Sequence, residues 1–142
     1  MDRLLISLLN TGIQAPDALE SPLGTARWWA GLDISVDGRP RFDARLSSAI
    51  RELRASLAAR ADGEPAAVGC AFRGDASDAI LFELLHAART AIADGSFARA
   101  RRCANPACAR YFADETKNGS KRWCSLRCME RARAPRRRTI SR

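Results

Sequence analysis

The 142 residues are 46 % apolar and 28 % charged, with a formal net charge of +8. This balance suits one globular domain, or one domain with a small module, and excludes a chain too polar to build a core. No stretch approaches the ~18 apolar residues of a membrane span. The short apolar run Leu4 to Leu9 is broken by Ser7 and followed by Asn10 and Thr11, unlike a cleavable leader, so neither a membrane nor a secretory route is expected.

Residues 2–10 are predicted to form a short helix ended by Asn10, Thr11 and Gly12, although period alone does not separate this run from a buried strand. Ser21 and Pro22 supply an N-cap and a first-turn proline for a second helix, which carries Trp28 and Trp29 and stops near Gly31. The two tryptophans read as core anchors, one of them partly exposed, since neighbours on a helix cannot face the same way. Ile34, Ser35 and Val36 are expected as a short strand before the Asp37–Gly38 turn. Asp43 caps a third helix, where Leu46, Ile50, Leu53 and Leu57 recur at steps of four, three and four. Ala67 to Phe72 is expected as a buried strand, with Cys70 as a small core residue within it. Asp75 or Ser77 then caps a fourth helix with Ile80, Leu81, Leu84, Leu85, Ala88 and Ile92 inward, stopped by Asp94 and Gly95. His86, the single histidine, reads as an ordinary helix-surface or core-edge residue.

Charge is divided unevenly along the chain. Residues 99–142 hold 14 Lys/Arg against Asp114, Glu115 and Glu130, whereas the first 98 residues hold 10 basic and 13 acidic groups. A polyanionic partner is therefore expected for the C-terminal third alone.

That third contains four cysteines in two close pairs, Cys103/Cys108 and Cys124/Cys128, separated by fifteen residues. Two short chelating loops of this kind supply the four thiolates of a tetrahedral zinc site, and Asn105 and Pro106 let the first loop turn around the metal. Two disulfides or four unrelated thiols are the competing readings. A basic, turn-rich segment with no sign of secretion favours zinc and a reducing cytoplasm. A segment of about 40 residues is too small for a self-sufficient core, so the ion is expected to contribute most of its folding energy. Tyr111–Phe112 and Arg122–Trp123 are expected to pair as strands across an Asn118–Gly119 turn, with Phe112 and Trp123 as a tiny core. Ser125 caps a last helix from Leu126, with Cys128 in its first turn. Backbone N–H groups near Cys108 and Cys128 are expected to hold the thiolates, and four cysteines leave no open position for catalytic water.

The run Cys103 to Cys108, followed by Tyr111, Phe112, Asp114 and the stretch Lys117 to Ser125, resembles the CGNR zinc finger family. In many proteins of that family the finger follows an ABATE domain. Leu9, Asn10 and Thr11, and Leu19 to Pro22 with Trp28 beyond, are similar to that domain's opening pattern. The namesake motif departs here: Cys128 is followed by Met129, Glu130 and Arg131 in place of Gly, Asn and Arg. The resemblance implies an ABATE-like domain over 1–98, a CGNR-like finger with a basic tail over 99–142, and a DNA-binding, stress-induced transcriptional regulator.

The expected architecture is α+β: a mainly helical N-terminal domain with one or two short strands, then a treble-clef-like four-cysteine finger holding structural Zn2+. Its expected nucleic-acid-binding residues are Lys117, Lys121 and Arg122 on the hairpin, Arg127, Arg131 and Arg133 on the last helix, and Arg136, Arg137 and Arg138 in the tail beyond Pro135. DNA is the expected partner, RNA or an acidic protein the alternative, and a homodimer through the N-terminal domain would widen the contact. A cytoplasmic, nucleoid-associated protein follows. An enzyme is not expected: paired carboxylates, an activated nucleophile and a phosphate-binding glycine loop are all missing from the sequence.

Overall fold

A computed structural model describes residues 3–72 and 74–133. Five helices, one 3-10 turn and a two-stranded sheet make up the α+β chain: α1 (Arg3–Asn10), α2 (Pro22–Ala30), α3 (Ala44–Ala61), α4 (Asp78–Ala93), the turn Ser96–Arg99, β1 (Ala100–Arg102), β2 (Tyr111–Ala113) and α5 (Leu126–Arg133). The core is where the apolar stripes of α1, α3 and α4 meet. Leu5 and Leu8, all four residues of the α3 stripe, and Ile80, Leu81 and Leu84 are wholly shut from solvent. Each such aliphatic side chain contributes about 1.5–3 kcal/mol.

The helix ends follow the capping chemistry of the sequence. Ser21 is extended and accepts the Gly24 N–H at 3.1 Å, and Asp43 accepts the Leu46 N–H at 2.8 Å. Gly24 is required by close packing, because a Cβ there would lie 2.3 Å from the Ala18 carbonyl oxygen. At the α4 start Ser77 is helical and donates its hydroxyl to the Arg41 carbonyl at 2.7 Å, so it does not cap by side chain. Asp75 organises that turn by accepting the Ser77 N–H at 2.9 Å. Trp29 is buried, whereas half-buried Trp28 donates its Nε1–H to Ser7 Oγ at 3.0 Å.

Two expected strands are absent among the described residues. Residues 34–36 and 67–72 are coil without a strand partner; Val68 and Cys70 lean half-buried on the core while Ala67, Gly69 and Ala71 face water. An apolar run becomes a strand only where another strand offers a ladder, and none adjoins either segment. Both real strands lie in the C-terminal part: β1 and β2 are antiparallel with Ala100 opposite Ala113, Arg101 opposite Phe112 and Arg102 opposite Tyr111. The hairpin expected between Tyr111–Phe112 and Arg122–Trp123 is thus replaced by one that flanks the first cysteine pair, and 121–123 is coil.

This sheet is docked on the helices. Asn10, at the end of α1, donates Nδ2–H to the Tyr111 carbonyl at 3.0 Å and accepts the Tyr111 N–H at 2.8 Å. Phe97 and Ala100 enter the helical core, and the Tyr111 hydroxyl donates to Asp62 at 3.0 Å. Contacts therefore cross the 98/99 position at several points.

Candidate metal centre

Cys103 leaves β1 and keeps the ladder going by donating its N–H to the Arg110 carbonyl at 2.9 Å. Asn105 closes the knuckle between Cys103 and Cys108. Its carbonyl accepts the Cys108 N–H at 2.8 Å, its Oδ1 accepts the Ala107 N–H at 3.0 Å, and its Nδ2 donates to the Cys128 carbonyl at 3.5 Å. Asn105 is buried, so the residue expected only to permit a turn also ties the knuckle to α5. On the other side Ala104 donates to the Arg122 carbonyl at 2.8 Å, which brings Cys124 up to the knuckle. Ser125 caps α5 as expected, accepting the Cys128 N–H on Oγ at 3.2 Å.

The four sulfurs converge, all within 4.8 Å of one another. Cys108 and Cys124 sulfurs are 3.8 Å apart, and those of Cys124 and Cys128 are 3.6 Å apart. A tetrahedral zinc with Zn–S bonds of about 2.3 Å spaces its sulfurs by about 3.8 Å, whereas a disulfide needs about 2.05 Å. All five cysteines are free thiols, Cys70 lying away from the cluster. The donor set fits a structural zinc ion, with Cys103, Cys108, Cys124 and Cys128 as its holders. When bound, such an ion cross-links the two chain segments and leaves no site for a reacting water.

The surroundings favour thiolate unequally. The Ser125 hydroxyl, with help from adjoining thiols, draws Cys128 down to about 7. Burial and the neighbouring thiols push Cys124 up to about 12, and burial also raises Cys108 against a hydrogen bond from the Arg110 N–H. Metal ligation requires the thiolate form, so binding of a divalent cation releases thiol protons from the cluster. The Cys124 N–H points at the Cys103 sulfur, 3.5 Å away. The N–H support expected near Cys108 is thus present, while that of Cys128 goes to Ser125 instead.

Past β2 the chain is pinned by a buried carboxylate. Asp114 accepts from the Thr116 hydroxyl, from the Thr116 N–H at 3.0 Å and from the Lys121 N–H at 3.0 Å. Arg99 donates to the Thr116 carbonyl at 2.8 Å and Arg101 to the Gly119 carbonyl at 3.3 Å. Gly119 has a φ of 61°, in the left-handed region that suits glycine. Arg99 and Arg101 stand out in the sequence only as part of the basic excess, whereas the Asp-x-Thr spacing at 114–116 is a local signal for this loop.

Lys117, Lys121, Arg122, Arg127, Arg131 and Arg133 are all exposed. Lys121 lies over the Phe112 ring at 5.4 Å. Arg136, Arg137 and Arg138 fall outside the described residues. Phe112 is buried, but Trp123 is only half-buried, with Arg122 and Arg133 against its ring. None of the α5 residues is buried, and Cys128 and Met129 are its half-buried positions.

A cysteine knuckle, an adjoining hairpin and a helix start around four convergent sulfurs define a zinc finger. The family model described as CGNR zinc finger matches residues 99–139. No curated protein and no solved structure matches the chain. No helix among the described residues is long and apolar enough to cross a membrane.

Proposed function

We propose that the finger grips duplex DNA and that the chain is a transcriptional regulator, its helical part an ABATE-like body. The observation that carries this reading is an excess of free positive charge. Residues 99–133 hold ten Lys/Arg against three acids, and the Asp114 carboxylate is spent inside its loop. Arg99 and Arg101 are committed to that loop and Arg102 faces Asp62 at 3.6 Å, so Arg110, Lys117, Lys121, Arg122, Arg127, Arg131 and Arg133 remain for a polyanion.

On α5 the metal side carries Cys128 and Met129, and the opposite side carries Arg127, Glu130 and Arg131. Arg127 and Arg131, four residues apart, suit guanine O6 and N7, while Glu130 suits the cytosine amino group. Phosphates repel a carboxylate, so its place on this face favours a role at base edges. Glu130→Gln is expected to relax the preference at a single base pair by about 1–3 kcal/mol in a selection from random duplexes. A homodimer through the helical body would double the surface of a finger this small.

Two aromatic side chains favour duplex DNA over base stacking in RNA, Phe112 being buried and the Tyr111 hydroxyl engaged by Asp62, while the half-exposed Trp123 ring has Arg122 and Arg133 over it. A gel-shift comparison of duplex, single strand and RNA tests this. The expected order is duplex first, with affinity falling by about three decades between 50 and 200 mM salt for six phosphate contacts. Equal or better binding of RNA, or binding only to an acidic protein, would contradict it.

A further inference from the structure

We infer that Trp123 presets Arg122 and Arg133 as a clip for the phosphodiester backbone, making the indole a positioning residue of the nucleic-acid surface. The inference rests on the proposed DNA binding. Both guanidinium carbons lie against one ring, at 5.1 Å for Arg122 and 5.3 Å for Arg133. Trp123 and Arg133, ten apart in sequence, meet there because Trp123 directly precedes Cys124 and Arg133 lies on α5 beyond Cys128, so the metal-binding sulfurs fix both attachment points. The indole is set with its Nε1 edge inward, shut from solvent and without a hydrogen-bond partner, while the side chain as a whole is half-exposed.

Two like charges on one ring repel, and no carboxylate neutralises either: among the described residues neither arginine forms a salt bridge. Neither guanidinium donates a hydrogen bond within the described fold. Cation–π attraction places each guanidinium over the ring without using its N–H donors, which stay available to bond phosphate oxygens in pairs. An unneutralised, pre-ordered pair of this kind suits a bridging or adjacent pair of phosphates and lowers the entropy lost on binding. Arg133 then belongs to backbone grip, leaving Arg127 and Arg131 for base edges.

The test is fluorescence anisotropy of the zinc-loaded full chain with a mixed-sequence duplex over a salt series, zinc content being verified for every variant. Trp123→Leu should weaken binding about tenfold and flatten the log–log salt slope by about 1–2 units, the loss of one or two phosphate contacts. Trp123→Phe, which keeps an aromatic face, should retain most of the slope. Arg122→Gln with Arg133→Gln should reproduce the Trp123→Leu slope, and adding Trp123→Leu to that pair should change nothing further. An unchanged slope in Trp123→Leu, or an undiminished effect of Trp123→Leu on top of the arginine pair, overturns the clip and leaves DNA binding standing. Should Trp123→Leu lose zinc, Trp123→Phe and the arginine pair decide: a wild-type slope in the arginine pair, or a full loss in Trp123→Phe, overturns the clip. Failure of the wild type to bind any duplex overturns the functional reading, and the clip with it.

Discussion

Single carboxylates hold both halves of the chain in place. Hydrogen bonds from Thr116, its hydroxyl above all, and from the Lys121 N–H keep the Asp114 carboxyl below the usual carboxylate range. A group depressed in the folded state stabilises above its unfolded value of about 3.9 and loses that contribution as pH falls through the lower folded value. The loop carrying Lys117 and Lys121 is therefore expected to open in acid, and Asp114→Asn to speed amide exchange at Thr116 and Lys121 at neutral pH. Protection unchanged in that variant would contradict the pinning role. In the helical body the Arg54 guanidinium grips Asp17 at 2.6 and 2.8 Å and also donates to Thr11 at 2.8 Å, holding the Asp17 carboxyl low in the same sense. Gly12 makes room, since a Cβ there would lie 2.8 Å from the guanidinium. Arg54→Ala leaves three acceptors partly unpaired and is expected to cost about 2–4 kcal/mol in urea unfolding.

The elements differ in what keeps them folded. The α3 stripe is sealed at Leu46, Ile50, Leu53 and Leu57, so Leu53→Ala is expected to cost about 2–5 kcal/mol. Helix α5 buries none of its residues and is tied to the fold through Cys128, the Asn105 contact and the Arg133–Trp123 stack. Chelation is accordingly expected to melt α5 while α1 to α4 persist, visible as a partial loss of far-ultraviolet dichroism with a retained cooperative melt. The helices were legible in the sequence because periodic leucines and the caps at Ser21, Asp43 and Ser125 act within a few residues. The four sulfur ligands were legible for the same reason, paired spacing being a local signal. Strands depend on partners distant in sequence: Ala67 to Phe72 has the composition of one and lacks a neighbour, while Ala100 to Arg102, rich in arginine, becomes one because the knuckle folds Tyr111 to Ala113 beside it. Asn10 read as a helix terminator, and nothing near it announced a bond to Tyr111, 101 residues away.

At the scale of the whole molecule, the basic finger is mounted on a nearly neutral, slightly acidic helical body through Asn10, Tyr111, Asp62 and Arg102. Asn10→Ala removes two hydrogen bonds across that junction and is expected to lower stability by about 1–3 kcal/mol and to loosen the finger, raising the zinc dissociation rate. Burial, joined by the bond to Asp62, pushes the Tyr111 phenol up, so it stays protonated as a donor throughout the neutral range. All of this presumes that one ion draws Cys103, Cys108, Cys124 and Cys128 together, because only then do α5 and the Trp123 arginines share one surface. X-ray absorption at the zinc edge of the 142-residue chain addresses that directly. The account predicts one zinc per chain with a first shell of four sulfurs at about 2.3 Å; a protein without bound zinc, or a shell containing nitrogen or oxygen, would contradict it.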